Sequence, residues 1–265
     1  MDTLSLPDTP LRLFADYMSV TGVPHLKAEP RGDPALVGKR LGLLNGSSWI
    51  TLWCNYFGKL YLPGVQLVNA GSDAVQLSFM EAHSRAEPCP PPINIQVFVR
   101  MARDLVELAD VNAILITCST MNRSYAAVAD AVDIPVVQID MPMMEAAINH
   151  GGKILVVATH GPTVKSTQAL LLETAGRMGV DVAYTGTTVE AAWHRLAEGD
   201  VQGHNALLAE ALRAAQAREA LSCALLAQLS MSVFALSYPD TKGEFGIPVF
   251  TSAQTGFQRV RELLA

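Results

Sequence analysis

The chain has 265 residues, 50% hydrophobic and only 17% charged, which supports a large buried core and excludes a disordered or low-complexity protein. Its 19 Lys and Arg against 25 Asp and Glu give a formal net charge of -6 with no basic run, so nucleic acid is not an expected partner. The four cysteines, Cys54, Cys89, Cys118 and Cys223, contain no CxxC pair, which argues against a zinc site and against a disulfide framework.

Residues 1–38 carry PDTP and AEPRGDP without a strand pattern and read as an N-terminal extension wrapped on the core. The opening MDTLSLPDTPLRLF lacks the basic and apolar regions of a signal peptide. Runs such as KILVVAT fall far short of the ~18 residues of a membrane span, so a soluble, cytoplasmic protein is expected, with no membrane partner. From residue 40 onward, short apolar runs alternate with helical patterns. The strands predicted are 40–45, 65–70, 113–117, 135–139, 153–159, 180–186, 224–228 and 248–251. Helices are predicted over an aromatic segment at 50–62 and over 93–110, 121–131, 162–178, 203–221 and 253–264. Strands that are apolar throughout belong to parallel sheets covered by helices on both faces, so the fold class is α/β.

Residues 113–121, AILITCSTM, and 223–231, CALLAQLSM, form a faint repeat in which Cys118 and Gln228 hold the same place. Either a duplication or the shared patterning of two βα units accounts for it. In open parallel sheets, ligands bind at the carboxyl ends of strands. Those ends carry Asn45, Ser47 and Ser48, then Cys118, Ser119 and Thr120, then Thr159, His160 and Thr163, and finally Gln228. Hydroxyl and amide side chains with glycines suit a carboxylate or phosphate, and the absence of GxGxxG and GxxxxGK[ST] removes the common nucleotide versions.

Cys118 follows ILIT and precedes a helix start, where the dipole and N–H donors favour its thiolate. A packing role is the alternative for any cysteine, and it is the reading for Cys223 and Cys54. His160 follows a strand directly in a Gly-Pro turn and has a tunable pKa suited to acid or base work; a local hydrogen bond is the other reading. His83, His150, His194 and His204 read as helix-end or surface residues, and Arg123 and Lys165 as carboxylate holders or solvated charges. Trp49 lies beside Ser47 and Ser48 and lines either a pocket for an apolar substituent or the helix core.

Three segments, AILITCSTMNRSYAAVADAVDIPVV, KILVVATHGPTVKST and GIPVFTSAQTGFQRVRELLA, resemble in order the characteristic stretches of the aspartate/glutamate racemase superfamily. The resemblance implies two similar flavodoxin-like halves with an interdomain active-site cleft: 39–138 plus 252–265, and 139–251. It implies no metal and no cofactor, a homodimer or higher homo-oligomer, and chemistry at the carbon α to a carboxylate of a small acid. Cys118 matches the first catalytic cysteine of the superfamily, with Ser119 and Thr120 as its carboxylate-binding pair. Asn45, Ser47 and Ser48 match the first loop, and Thr159 and Thr163 the second-half loop. At the second cysteine position this chain has Gln228, which cannot shuttle a proton. His160 is the candidate replacement acid/base. A racemase or isomerase is the leading expectation; a single-cysteine lyase or decarboxylase, or a non-catalytic small-acid-binding protein, are the alternatives.

Overall fold

The computed structural model describes residues 10–22 and 32–265. Strands β1 (Arg40–Asn45), β2 (Gln66–Gly71), β3 (Ala113–Ile116) and β4 (Val136–Gln138) form one parallel sheet in the order β2-β1-β3-β4. Strands β5 (Lys153–Ala158), β6 (Ala183–Thr188), β7 (Cys223–Leu226) and β8 (Val249–Thr251) form a second, ordered β6-β5-β7-β8. The two orders are identical with an offset of four strands, so the repeat glimpsed in sequence extends to topology.

Period-two alternation assigns each sheet two covered faces. In the first sheet, Leu41, Leu43 and Leu115 pack against Phe57 of α2 (Thr51–Tyr61) and Phe257 of α12 (Ser252–Leu264). Leu44, Ile114 and Ile116 face the other way, onto Phe79 of α3 (Asp73–Ser84) and Phe98 of α4 (Pro92–Ala109). The second sheet is covered on one face by α6 (Met141–His150) and α7 (Gly161–Met178), through Met143, Met144, Leu170 and Leu171. Its other face packs on Ala192 of α8 (Glu190–Ala197) and Leu208 and Leu212 of α9 (Val201–Gln216).

Helix α12 follows the last strand of the second sheet yet packs into the core of the first, which ties the two halves together. Gly256 permits that approach, because a Cβ there would stand 2.6 Å from Ile139 Cγ1 and 2.8 Å from the Ile139 carbonyl oxygen. Backbone cannot retreat as a side chain can. Gly256→Ala is therefore expected to destabilise the fold by about 2 kcal/mol, read as a lower urea midpoint at unchanged slope.

All eight predicted strands form, although β6 starts at 183 rather than 180. It is an edge strand with alternating partial exposure, so its apolar signal is weak. The helix expected over 121–131 is instead a 3₁₀ turn (Thr120–Ser124) followed by α5 (Tyr125–Ala129). Helices α3, α6 and α8 had no sequence counterpart. Within the segment read as an extension, α1 (Pro10–Thr21) rests on α2, where Lys59 Nζ donates to the Ser19 carbonyl at 2.9 Å, and leaves Leu11 and Phe14 exposed. The rest of that reading, over 1–9 and 23–31, lies outside the described residues. His204 is not a surface residue: Asp200 caps α9 by accepting from the Gly203 N–H, and His204 follows in the first turn, fully buried beside Asn205. Among the described residues no helix is long and apolar enough to cross a membrane.

Candidate active site

The carboxyl ends of β1, β3, β5 and β7 converge on a cavity of about 60 Å³ between the two sheets. The first half contributes Gly46, Ser47, Trp49, Cys118, Ser119 and Thr120 to its wall, and the second His160, Thr163, Gln228, Leu229 and Ser230. Cys118 sits two residues beyond the end of β3, just before the 3₁₀ turn. Burial pushes its thiol up to about 11, against the backbone N–H groups of Met121 and Thr120, which pull it down. The donors at the turn favour the thiolate, as the sequence suggests, but desolvation outweighs them and the resting form is the thiol.

Gln228 holds the corresponding place after β7. Its Oε1 accepts both from the Thr159 backbone N–H at 2.8 Å and from the Thr159 hydroxyl at 2.7 Å. A backbone N–H can only donate, which fixes the orientation of the amide and leaves its NH₂ as the group it offers the cavity. His160 lies with Nδ1 3.1 Å from Thr163 Oγ1. Burial pushes its pKa down to about 4, so it rests as neutral imidazole. Its ring meets Trp193 edge-on at 5.8 Å, and Trp193 meets Trp49 at 5.5 Å, forming an aromatic roof drawn from both halves.

Behind Cys118 lies Asp140, only 1% exposed, whose Oδ2 accepts from Asn122 Nδ2 at 2.8 Å. Its Oδ1 and the hydroxyl oxygens of Ser119 and Ser252 are buried without a well-formed hydrogen bond. Burial pushes this carboxyl up to about 6, opposed by the nearby Ser119, Asn122 and Ser252. Among the described residues no group of three or more His, Cys, Asp or Glu is placed to hold a metal ion.

This arrangement of paired half-sites has counterparts. Residues 79–260 match the sequence model of the Asp/Glu/hydantoin racemase family. The chain belongs to the Asp/Glu/hydantoin racemase family. Solved structures share its fold at low sequence identity. Glutamate racemase isoform RacE1 from Bacillus anthracis is 20% identical, with a TM-score of 0.60 over 86% of this chain and 82% of that one. Aspartate racemase from Picrophilus torridus is 13% identical, with a TM-score of 0.65 over 86% of this chain and 94% of that one. An arylmalonate decarboxylase variant in a sulfate-associated form is 16% identical, with a TM-score of 0.55 over 85% of this chain and 93% of that one. No curated protein matches the sequence.

Within this family member the candidate residues divide into two groups. Ser47, Cys118, Ser119, Thr120, His160, Thr163 and Gln228 line the cavity; Asn45, Ser48 and Thr159 do not. Asn45 is fully buried, donating to Asn69 Oδ1 at 2.9 Å and accepting from Thr117 Oγ1 at 2.6 Å. Ser48 donates its hydroxyl to Asp73 at 2.6 Å and thereby anchors the start of α3. Thr159 holds the Gln228 amide rather than a ligand. Arg123 pairs with Glu173 along a separate cavity and Lys165 is exposed, so neither reaches the cavity that holds Cys118. Gln76 and Phe79, also in the wall, come from the unanticipated α3; Trp193, which packs on the wall residues Trp49 and His160, comes from the equally unanticipated α8.

Gly46 sets the position of the thiol. A Cβ at this residue would stand 2.6 Å from Cys118 Sγ and 3.1 Å from Cys118 Cβ. Gly46→Ala is expected to displace the sulfur and lower turnover by about 100-fold, because misplacement by an ångström suffices for that. The measurement is a rate comparison on protein whose circular dichroism is unchanged.

Proposed function

We propose that the protein is a cofactor-independent isomerase acting at the carbon α to a carboxylate of a small acid, with Cys118 as the proton-carrying group. The observation that carries this reading is the pairing of resting states around one cavity: Cys118 is a thiol able to give a proton and His160 a neutral imidazole able to take one. His160 would remove the α-proton, leaving an enediolate, and Cys118 would return a proton to the opposite face. Equilibration of the resulting imidazolium and thiolate with solvent would restore both groups. Ser119, Thr120, Ser230 and the Gln228 NH₂ would hold the carboxylate and then the enediolate oxygens. Each donor aimed at a developing oxyanion contributes roughly 3 kcal/mol. Membership of a racemase family supports the same chemistry.

A second reading has a specific observation behind it. Among the described residues one thiol faces the cavity, and Gln228 is held as an amide donor by Thr159. Such a site fits an enzyme that cleaves an acid and protonates the enediolate from the Cys118 side alone.

Proton NMR in D₂O with a panel of small carboxylic acids tests both. Exchange at the α-carbon with loss of optical activity supports the isomerase. Product formation or loss of CO₂ with retained handedness supports the one-thiol lyase. Binding of an acid with neither outcome would overturn both in favour of a binding protein. The pH profile adds an expected shape. A base of pKa about 4 and an acid of pKa about 11 require exchange to rise through the first value, stay flat, and fall through the second. A mechanism in which the Cys118 thiolate is the base would instead give a rate that keeps climbing above pH 9.

A further inference from the structure

The cavity is unbalanced in hydrogen-bonding capacity. Among the described residues its wall contains no Asp, Glu, Lys or Arg, and its side-chain amide oxygens are already engaged. Gln228 Oε1 takes two donors from Thr159, and Gln76 Oε1 takes the Trp49 Nε1–H at 2.9 Å. Thr163 Oγ1 is engaged with His160. Donors line the wall: the Gln228 NH₂ and the hydroxyls of Ser47, Thr120 and Ser230. The nearest carboxyls are held away from the cavity. Asp140 is bound by Asn122 behind Ser119, and Asp73 is bound by the hydroxyl and backbone N–H of Ser48. Ile50, Phe79 and Leu229 complete the wall with apolar surface.

We infer that this cavity selects acids whose α-carbon carries no ammonium group, and that amino acids are not its substrates. The inference rests on the proposed function, in which the cavity receives the carboxylate of a small acid. A carboxylate entering it meets unengaged donors. An ammonium group entering beside that carboxylate would lose its water and meet no carboxylate to balance its charge, and a buried charge without a counter-charge is strongly disfavoured. Sites that leave a ligand's polar group unpaired discriminate by large factors, so a preference of at least about 100-fold is expected.

The test uses matched pairs that differ only by the ammonium group: propanoate and alanine, succinate and aspartate, 3-phenylpropanoate and phenylalanine. Affinities are measured by calorimetry and by the fluorescence of the Trp49–Trp193 roof, for the wild type and for Gln76→Glu. That variant keeps an acceptor for Trp49 and adds one negative charge to the wall. The expected result is at least about 100-fold tighter binding of the deamino member of a pair, with the gap narrowed at least about tenfold in Gln76→Glu. Equal or tighter binding of the amino acid by the wild type would overturn the inference, as would binding of neither member of any pair. The same acids, incubated in D₂O, separate this failure from failure of the proposed function. Enzyme-dependent α-exchange of aspartate or alanine would defeat the inference and leave the proton-transfer reading standing. Tight binding of deamino acids with no exchange or product would do the reverse.

Discussion

Cys118→Ala is expected to lower racemisation about 1,000-fold while changing the affinity for the bound acid less than about threefold, since a positioned acid or base contributes roughly 10²–10⁴ in rate. The asymmetry follows from what the thiol touches. Cys118 lines the cavity, but the groups placed to hold a carboxylate are the Gln228 NH₂ and the hydroxyls of Thr120 and Ser230. Removing the sulfur leaves all of these in place and adds a little space to a cavity of about 60 Å³. Cys118→Ser sharpens the result, because a hydroxyl preserves size and hydrogen bonding yet is a far weaker acid than a thiol. Rates of loss of optical activity and calorimetric affinities for both variants provide the check. A Cys118→Ala protein racemising within tenfold of the wild type would remove the thiol from the mechanism and leave His160 as the sole proton carrier. Loss of affinity in parallel with rate would instead assign Cys118 a binding role.

How much of this was legible in the sequence depended on whether a signal was local. The eight strands stood out because parallel strands covered on both faces are apolar along their length, and Leu41 to Leu44 or Ile114 to Ile116 leave little ambiguity. Strand ends could then be scanned for polar residues, which brought Cys118, His160 and Gln228 forward together. The AILITCSTM and CALLAQLSM repeat anticipated the identical strand orders of the two sheets. What escaped was long-range. Helix α3 has a mixed surface, DAVQLSFMEAHS, so Gln76 and Phe79 could not be assigned to the cavity without the Ser48–Asp73 contact that fixes its start. Trp193, 144 positions beyond Trp49, reaches the roof only because α8 returns over the cleft. Asn45 and Thr159 have the residue types of ligand-binding groups, but their partners are internal: Asn69 and Thr117 for one, Gln228 for the other. The protonation state of Cys118 could not be read from sequence for the same reason. A helix start is visible in sequence, whereas desolvation by residues distant along the chain is not.

Asp140→Asn is expected to be more stable relative to the wild type at neutral pH than at pH 4, by on the order of 3 kcal/mol. The wild-type carboxyl has a folded pKa of about 6, raised by burial above the unfolded value near 3.9. A group raised in this way contributes stability that is fully present below the unfolded value, where both states carry the proton. That contribution is lost as the pH rises through the folded value, because the native state must then hold a buried charge. At roughly 1.36 kcal/mol per pH unit, the interval between the two pKa values gives the stated magnitude. Asparagine removes this pH dependence while keeping an oxygen for Asn122 Nδ2, and it places an NH₂ where the unsatisfied Oδ1 now faces the Ser119 and Ser252 hydroxyls. Urea unfolding of both proteins from pH 4 to 8 measures the difference, which should grow between about pH 4 and 6 and level off above 7. A second readout ties the residue to the site. The ionised Asp140 pushes the Cys118 thiol further up, so the rate of Cys118 alkylation should rise at lower pH in the variant than in the wild type. Parallel stability curves would mean that Ser119, Asn122 and Ser252 compensate the burial of Asp140 in full, and unchanged alkylation would mean that its charge does not act on Cys118.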